Sequence, residues 1–255
     1  LINQEIIKWG LLVALKSGVY IENKQWKLVY PKPATSFNAK AVNRYEQNRF
    51  TVMEEVVYKD QERVDLVIFL NGLALFAIEL KLNSSGQSVD DAIRQLKKRD
   101  SKNRLFKFNA GVLASFAVDT LEVYMTTEIK EQDTYFLPFN MGKGEGGDQG
   151  AGNPHNESGP DTAYFWKEVL AKDSILQLIE RFIFLKVDRD KKGKKTLIFP
   201  RYQQRRAVNR VLEDMKVNHT DSNYLIQHSA GSGKTNTIAW LAHSLVSLHD
   251  HEDRK

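Results

Sequence analysis

The tightest constraint on the fold is a pair of dense apolar runs, residues 64–70 and 73–80, separated only by Asn71-Gly72. Two strand-like runs joined by Asn-Gly predict a β-hairpin, because both turn residues tolerate the positive φ that a type I′ turn demands. The neighbouring segments extend the pattern. Residues 52–58, rich in β-branched and aromatic side chains, predict a strand ahead of the hairpin. Behind it, Ser88 and Asp91 fit a capping arrangement for a helix running through Ala92, Ile93 and Leu96. Arg94, Lys97, Lys98 and Arg99 give that helix a basic side, suited to a phosphate backbone or simply to solvent. Residues 111–118 and 121–125 predict two further strands. Strands alternating with helices make an α/β domain.

The flanks are less regular. Residues 7–15 predict a buried helix stopped by Gly18, and residues 31–39 a loop. Residues 141–160 are Gly-rich and aperiodic, the composition of a surface loop. His155 in it reads as solvated, and Phe165-Trp166 just after it as core packing rather than a base-stacking platform. A helix is expected from Asp173 through Phe182, and the nearly all-charged run 186–195 as a linker or exposed turn. A second unit follows: a helix from about Gln203, a short strand Tyr224-Leu225-Ile226, a glycine-rich loop and another helix.

Composition bounds the function. The 255 residues carry a net charge of +5, compatible with a nucleic-acid partner but shared by many unrelated enzymes. With no cysteine, disulfides and Cys-based zinc sites are excluded and a reducing cytoplasm is the expected compartment. No apolar run approaches a membrane span, and a signal-peptide layout is missing from the first residues. Beginning at Leu1 and ending in a charged run, the chain is expected to be a piece of something longer.

The hairpin holds the chemistry. Asp65 heads the first run, and Glu79 and Lys81 close the second. Side chains in a strand alternate, so Glu79 and Lys81 point the same way. Two carboxylates brought together repel, and Mg²⁺, which takes hard oxygen ligands, is the usual partner. A lysine beside them could stabilise charge on a phosphate. The alternative is that Glu79 merely pairs with a nearby cation while Asp65 and Lys81 mark strand ends. Acidic groups within apolar strands are expensive, which favours a function. Geometry sets a condition. In a flush two-residue hairpin Asp65 faces Ile78, and Glu79 points to the opposite side of the sheet. Convergence therefore requires a one-residue register shift, and a bulge is expected.

Asp, a hairpin, then Glu-x-Lys resembles the signature of the PD-(D/E)xK nucleases. Asn48-Arg49-Phe50-Thr51-Val52, Arg63-Val64-Asp65-Leu66-Val67, Asn71-Gly72-Leu73 and Ile78-Glu79-Leu80-Lys81 together resemble the restriction (R) subunit of type I restriction–modification enzymes. The resemblance implies that Asp65, Glu79 and the Leu80 carbonyl bind Mg²⁺ and that Lys81 is the catalytic lysine. It also implies a Gln-x-x-x-Tyr element on the next helix. Here Gln95 keeps the glutamine, a candidate for supporting the site, while Arg99 stands in the tyrosine's place.

Near the other end stands His228-Ser229-Ala230-Gly231-Ser232-Gly233-Lys234-Thr235, between an apolar triplet and a helical pattern. Glycines let the backbone approach phosphates, and helix N-terminal amides face the anion. Gly231, Ser232, Gly233, Lys234 and Thr235 are thus the expected ATP-binding residues, with Thr235 toward Mg²⁺. His228 holds a place usually given to glycine, so the match is to the Ala-x-x-Gly-Lys-Thr ending of helicase-like motors. Upstream, residues 200–208 resemble the segment ahead of this loop in superfamily 2 helicases. That implies that Gln204, rather than Gln203, reads adenine.

The expected architecture is a PD-(D/E)xK-like mixed sheet flanked by helices (residues 1–185), followed by the beginning of a RecA-like P-loop domain (186–255). The resemblance implies Mg²⁺-dependent cleavage of double-stranded DNA coupled to ATP-driven translocation, in a complex with modification (methyltransferase) and specificity subunits, the latter choosing the sequence. No acidic motif follows Thr235 to complete an ATPase, so this chain alone is not expected to hydrolyse ATP. A DNA-repair or helicase-associated nuclease and a non-catalytic DNA-binding adaptor are the alternatives. A small-molecule kinase would leave the hairpin triad unexplained.

Overall fold

The computed structural model describes residues 1–144, 150–188, 190, 193–218, 222–246 and 248. After a short antiparallel hairpin of β1 (Val19–Ile21) and β2 (Lys24–Trp26), a six-stranded sheet is built in chain order from β3 (Phe50–Lys59), β4 (Glu62–Leu70), β5 (Leu73–Leu80), β6 (Ala114–Val118), β7 (Val123–Thr126) and β8 (Leu137–Pro138). Each neighbouring pair is antiparallel except β5 and β6, which are parallel. A parallel pair needs a crossover, and α4 (Val89–Lys97) lies within it. The expected capping box forms, with Ser88 and Asp91 satisfying each other's backbone amides. Asn71 (φ 50°) and Gly72 (φ 81°) make the β4–β5 turn.

Side-chain alternation gives the sheet two cores. On one face Val89, Ala92 and Leu96 of α4 pack on Val64, Val67, Ala77 and Ala117. The other face is larger. It takes up α1 (Ile2–Trp9), α2 (Leu11–Ser17), α5 (Lys172–Gln177) and two π-helical turns, Phe165–Val169 and Leu178–Phe182. At its centre Phe116 is fully buried among Phe76, Phe139, Phe165 and Phe199, with ring centroids 4.8 to 5.9 Å away. Phe165 is therefore core, as expected, whereas Trp166 is largely exposed.

Several segments differ from expectation for identifiable reasons. The first helix is divided at Gly10 (φ 104°), where an added Cβ would lie 2.5 Å from the Asn109 side chain. The expected loop at 31–39 runs into α3 (Ala39–Glu46), whose start is capped by the Asn38 side chain accepting from the Ala41 amide. The charged run 186–195 lies largely within an antiparallel hairpin of β9 (Phe184–Asp188) and β10 (Lys194–Ile198). Leu185 and Leu197 face each other and join the main core, so the charges sit on the solvent side. Its residues 189, 191 and 192 lie outside the described residues. Within the Gly-rich stretch the same holds for 145–149, and the remainder forms neither helix nor strand.

The two late helices appear as expected, α6 (Tyr202–Asn218) and α7 (Lys234–Leu245). The strand expected at 224–226 does not form, and Leu225 is 92% exposed. A strand is held by hydrogen bonds to a neighbour, and none of the sheets among the described residues includes this segment.

Phe116→Ala should lower stability by about 3–5 kcal/mol, the range for emptying a buried aromatic site. Urea denaturation measures this, and a loss under about 1 kcal/mol would mean that the aromatic cluster is not the organising core.

Candidate active site

The β4–β5 hairpin starts flush and then slips. Leu70 faces Leu73 and Phe69 faces Ala74, but Ile68 faces Phe76, leaving Leu75 as the extra residue of a bulge. Beyond it Val67 faces Ala77 and Leu66 faces Ile78. The ladder ends at that pair; its register, continued one step, aligns Asp65 with Glu79, and Glu79 lies against Arg99 just beyond α4. This is the one-residue shift that convergence requires. The two acidic residues are also tied through the backbone, since Asp65 Oδ2 accepts from the Leu80 amide at 2.7 Å. Lys81 continues on the same side, its own amide bonded to the Val118 carbonyl at 2.8 Å.

Glu79 is fully buried. Burial pushes its carboxyl up to about 7 against the pull of the Arg99 guanidinium, with Asp65 adding to the rise and Lys81 opposing it. Both residues are thus within electrostatic reach of Glu79. Among the described residues no three acidic or histidine side chains converge.

Arg99, which the basic pattern of α4 placed on a surface, is buried. It pairs with Glu79 Oε1 and donates to the Arg63 carbonyl. So Glu79 does have a cation partner, as the alternative reading required. That pairing leaves Glu79 Oε2 and Arg99 Nε buried without hydrogen-bond partners among the described residues. Gln95, in the last turn of α4, is partly exposed. Arg94 instead pairs with Asp91 at the surface at 2.5 Å. His155, exposed as expected, lies 3.3 Å from Asp161.

In the glycine-rich segment, Gly231 (φ 72°) and Gly233 (φ 84°) adopt left-handed conformations, and Gly233 caps α7. Lys234 Nζ is held by the carbonyls of His228 and Ser229, at 3.3 and 3.0 Å. Lys234 and Thr235 are exposed. Gln204 lies against the loop, donating to the carbonyls of Ser232 and Gly233 at 3.0 Å each and accepting from the Arg201 amide at 2.9 Å. Gln203 points elsewhere, to the Asn140 carbonyl at 2.7 Å. The structure brings Gln204 to the loop, with its amide committed to backbone.

A six-stranded mixed sheet flanked by helices is the architecture of a nuclease-like α/β domain. Residues 11–134 match the family described as type I restriction enzyme R protein N terminus, and residues 197–253 match type III restriction enzyme, res subunit. Two proteins of Methanocaldococcus jannaschii, named as the MjaVIIIP and MjaVIIP type I restriction enzyme endonuclease subunits, are 25% and 24% identical to this chain. Each alignment covers 98% of the chain and 22% of the relative, so the chain spans about a fifth of their length. Over residues 11–134 the chain is thus similar to the N terminus of type I restriction enzyme R proteins.

Gly233 is constrained twice, by its φ and by Gln204 Nε2, which would lie 2.7 Å from an added Cβ. Gly233→Ala should therefore cost about 1–2 kcal/mol from handedness alone and more from the collision. Faster amide exchange in the first turn of α7 is the expected sign, partly reversed by adding Gln204→Ala. Unchanged exchange would show that the loop does not hold this shape.

Proposed function

We propose that this chain carries the DNA-cleaving site of a type I restriction enzyme and the beginning of its ATP-driven motor. The observation that supports the reading is the bulge at Leu75, whose register, continued one step, aligns Asp65 with Glu79. The residues fit a small hard cation. Glu79 Oε2 is buried and unpartnered, Asp65 is tied to the adjoining strand, and the Leu80 carbonyl is the neighbouring oxygen. Asp65, Glu79 and the Leu80 carbonyl would hold Mg²⁺, which supplies polarisation of a phosphoryl oxygen and a lowered pKa for a bound water. Lys81 then stabilises charge on the phosphate under attack, and Gln95 supports the site or the DNA from α4.

At the loop, Gly231, Ser232 and Gly233 would present backbone to the phosphates of ATP, with Lys234 reaching the outer ones and Thr235 facing their Mg²⁺. Gln204 reaches adenine only by giving up its bonds to the loop. We read residues 186–255 as the start of a RecA-like motor domain following a nuclease domain of residues 1–185. In this reading the whole protein cuts double-stranded DNA after translocation, beside modification and specificity subunits, in the cytoplasm. No helix among the described residues is long and apolar enough to cross a membrane.

One observation favours a non-catalytic DNA-binding role, the Arg99 cation already seated on Glu79. Lys81→Ala separates the two. In the full-length protein assembled with its partners, plasmid cutting should fall by about two to three powers of ten, the usual scale for losing a group that stabilises transition-state charge. ATP hydrolysis should stay intact. Unchanged cutting removes Lys81 from the mechanism and leaves the binding role.

A further inference from the structure

Arg99 has more anchors than a counter-ion needs. Besides Glu79, its guanidinium donates to the Arg63 carbonyl, lies 3.6 Å from the Glu62 carboxylate and sits 5.3 Å from the centroid of the Tyr58 ring. The Tyr58 hydroxyl in turn donates to Glu62. These contacts come from β3 and β4, so Glu79 is not the guanidinium's sole anchor. It engages only Oε1 of Glu79. The other oxygen, Oε2, is left buried and unpartnered on the face where Asp65 lies. A side chain that swung in to neutralise a buried carboxylate would be expected to take both oxygens, as the guanidinium fork allows. This one is held so that a single nitrogen reaches a single oxygen.

We propose that Arg99 is a positioning residue for the metal site: it clamps Glu79 by one oxygen from the end of α4 and presents the other to the cation. The inference rests on the metal-dependent reading above and adds a residue to it. Partners of this kind orient metal ligands, and their loss weakens binding by about 10- to 100-fold.

The test is Mn²⁺ binding to this chain, followed by the electron paramagnetic resonance signal of the free ion. Arg99→Met should weaken binding by about 10- to 100-fold. Arg99→Lys, which keeps a donor, should restore most of it. Because Arg99→Met strips a partner from a buried carboxylate, Glu62→Gln supplies a second variant at an exposed anchor, expected to weaken binding severalfold. Equal or tighter binding, in whichever of these two keeps the wild-type melting profile, overturns the inference and makes Arg99 a passive or competing cation. The wild-type chain failing to bind Mn²⁺, or Glu79→Gln binding as well as wild type, overturns the metal reading itself and this inference with it.

Discussion

Strand parity governs everything on the α4 face of the sheet. Side chains alternate every residue, so one inserted residue in β5 decides whether Glu79 meets Asp65 or points into the opposite core among Phe76 and Phe116. Leu75 is that residue, and it is itself fully buried. The bulge thus has two consequences, one in packing and one in the site. Leu75 and Phe76 both face the large core, and everything beyond them on β5 is turned over relative to a flush hairpin. The parallel pairing of β5 with β6 extends this register to the far end of the strand, where Glu79 lies beside Ala117 and Leu80 beside Val118.

Placing a carboxylate there is unfavourable taken alone. A fully buried acid loses its hydration, which is why burial is the largest influence on Glu79 and raises it despite a guanidinium in contact. A pair of this kind is weak evidence for stability, because desolvation offsets much of the attraction. One oxygen of Glu79 and the Nε of Arg99 remain unsatisfied as well. A fold selected for stability alone would do better with two apolar residues at these positions. An arrangement that retains both groups, half-satisfied, next to a second carboxylate and a lysine is better explained by a task.

What could be read from the chain beforehand follows how local each signal is. Asn71-Gly72, the Ser88–Asp91 box and the glycines at 231 and 233 act within a few residues, and each appears where expected. The register shift was legible only as a condition on Asp65 and Glu79, since nothing in Leu73–Leu80 marks Leu75 as the extra residue. Helix α3 escaped because it buries no residue and so shows no apolar stripe. The β9–β10 hairpin escaped because its inward side amounts to little more than Leu185 and Leu197 among charges. The sequence puts Arg99 on the basic side of the helix and in the place of the family's tyrosine, and neither reading anticipates its burial. Its burial depends on Glu79, Glu62 and Tyr58, which lie 20 to 41 positions away in the chain.

The glycine-rich loop shows the same division within one motif. Its shape is set by contacts that the described residues contain: two left-handed glycines, the capped start of α7 and the Gln204 amide. Helix α7 is also secured, with Trp240 packed against Phe182 and Phe184. Among the described residues the apolar triplet ahead of the loop has no strand partner, only the Tyr224 hydroxyl donating to Asp214 at 2.6 Å. Leu225 has the residue type of an interior strand, yet it is almost fully exposed. Helices and turns satisfy their own backbone, whereas a strand's backbone groups must be satisfied by another strand. A loop and helix can therefore stand complete while the strand that introduces them does not. The motif's chemistry-bearing residues are specified locally, and its place in a sheet is not.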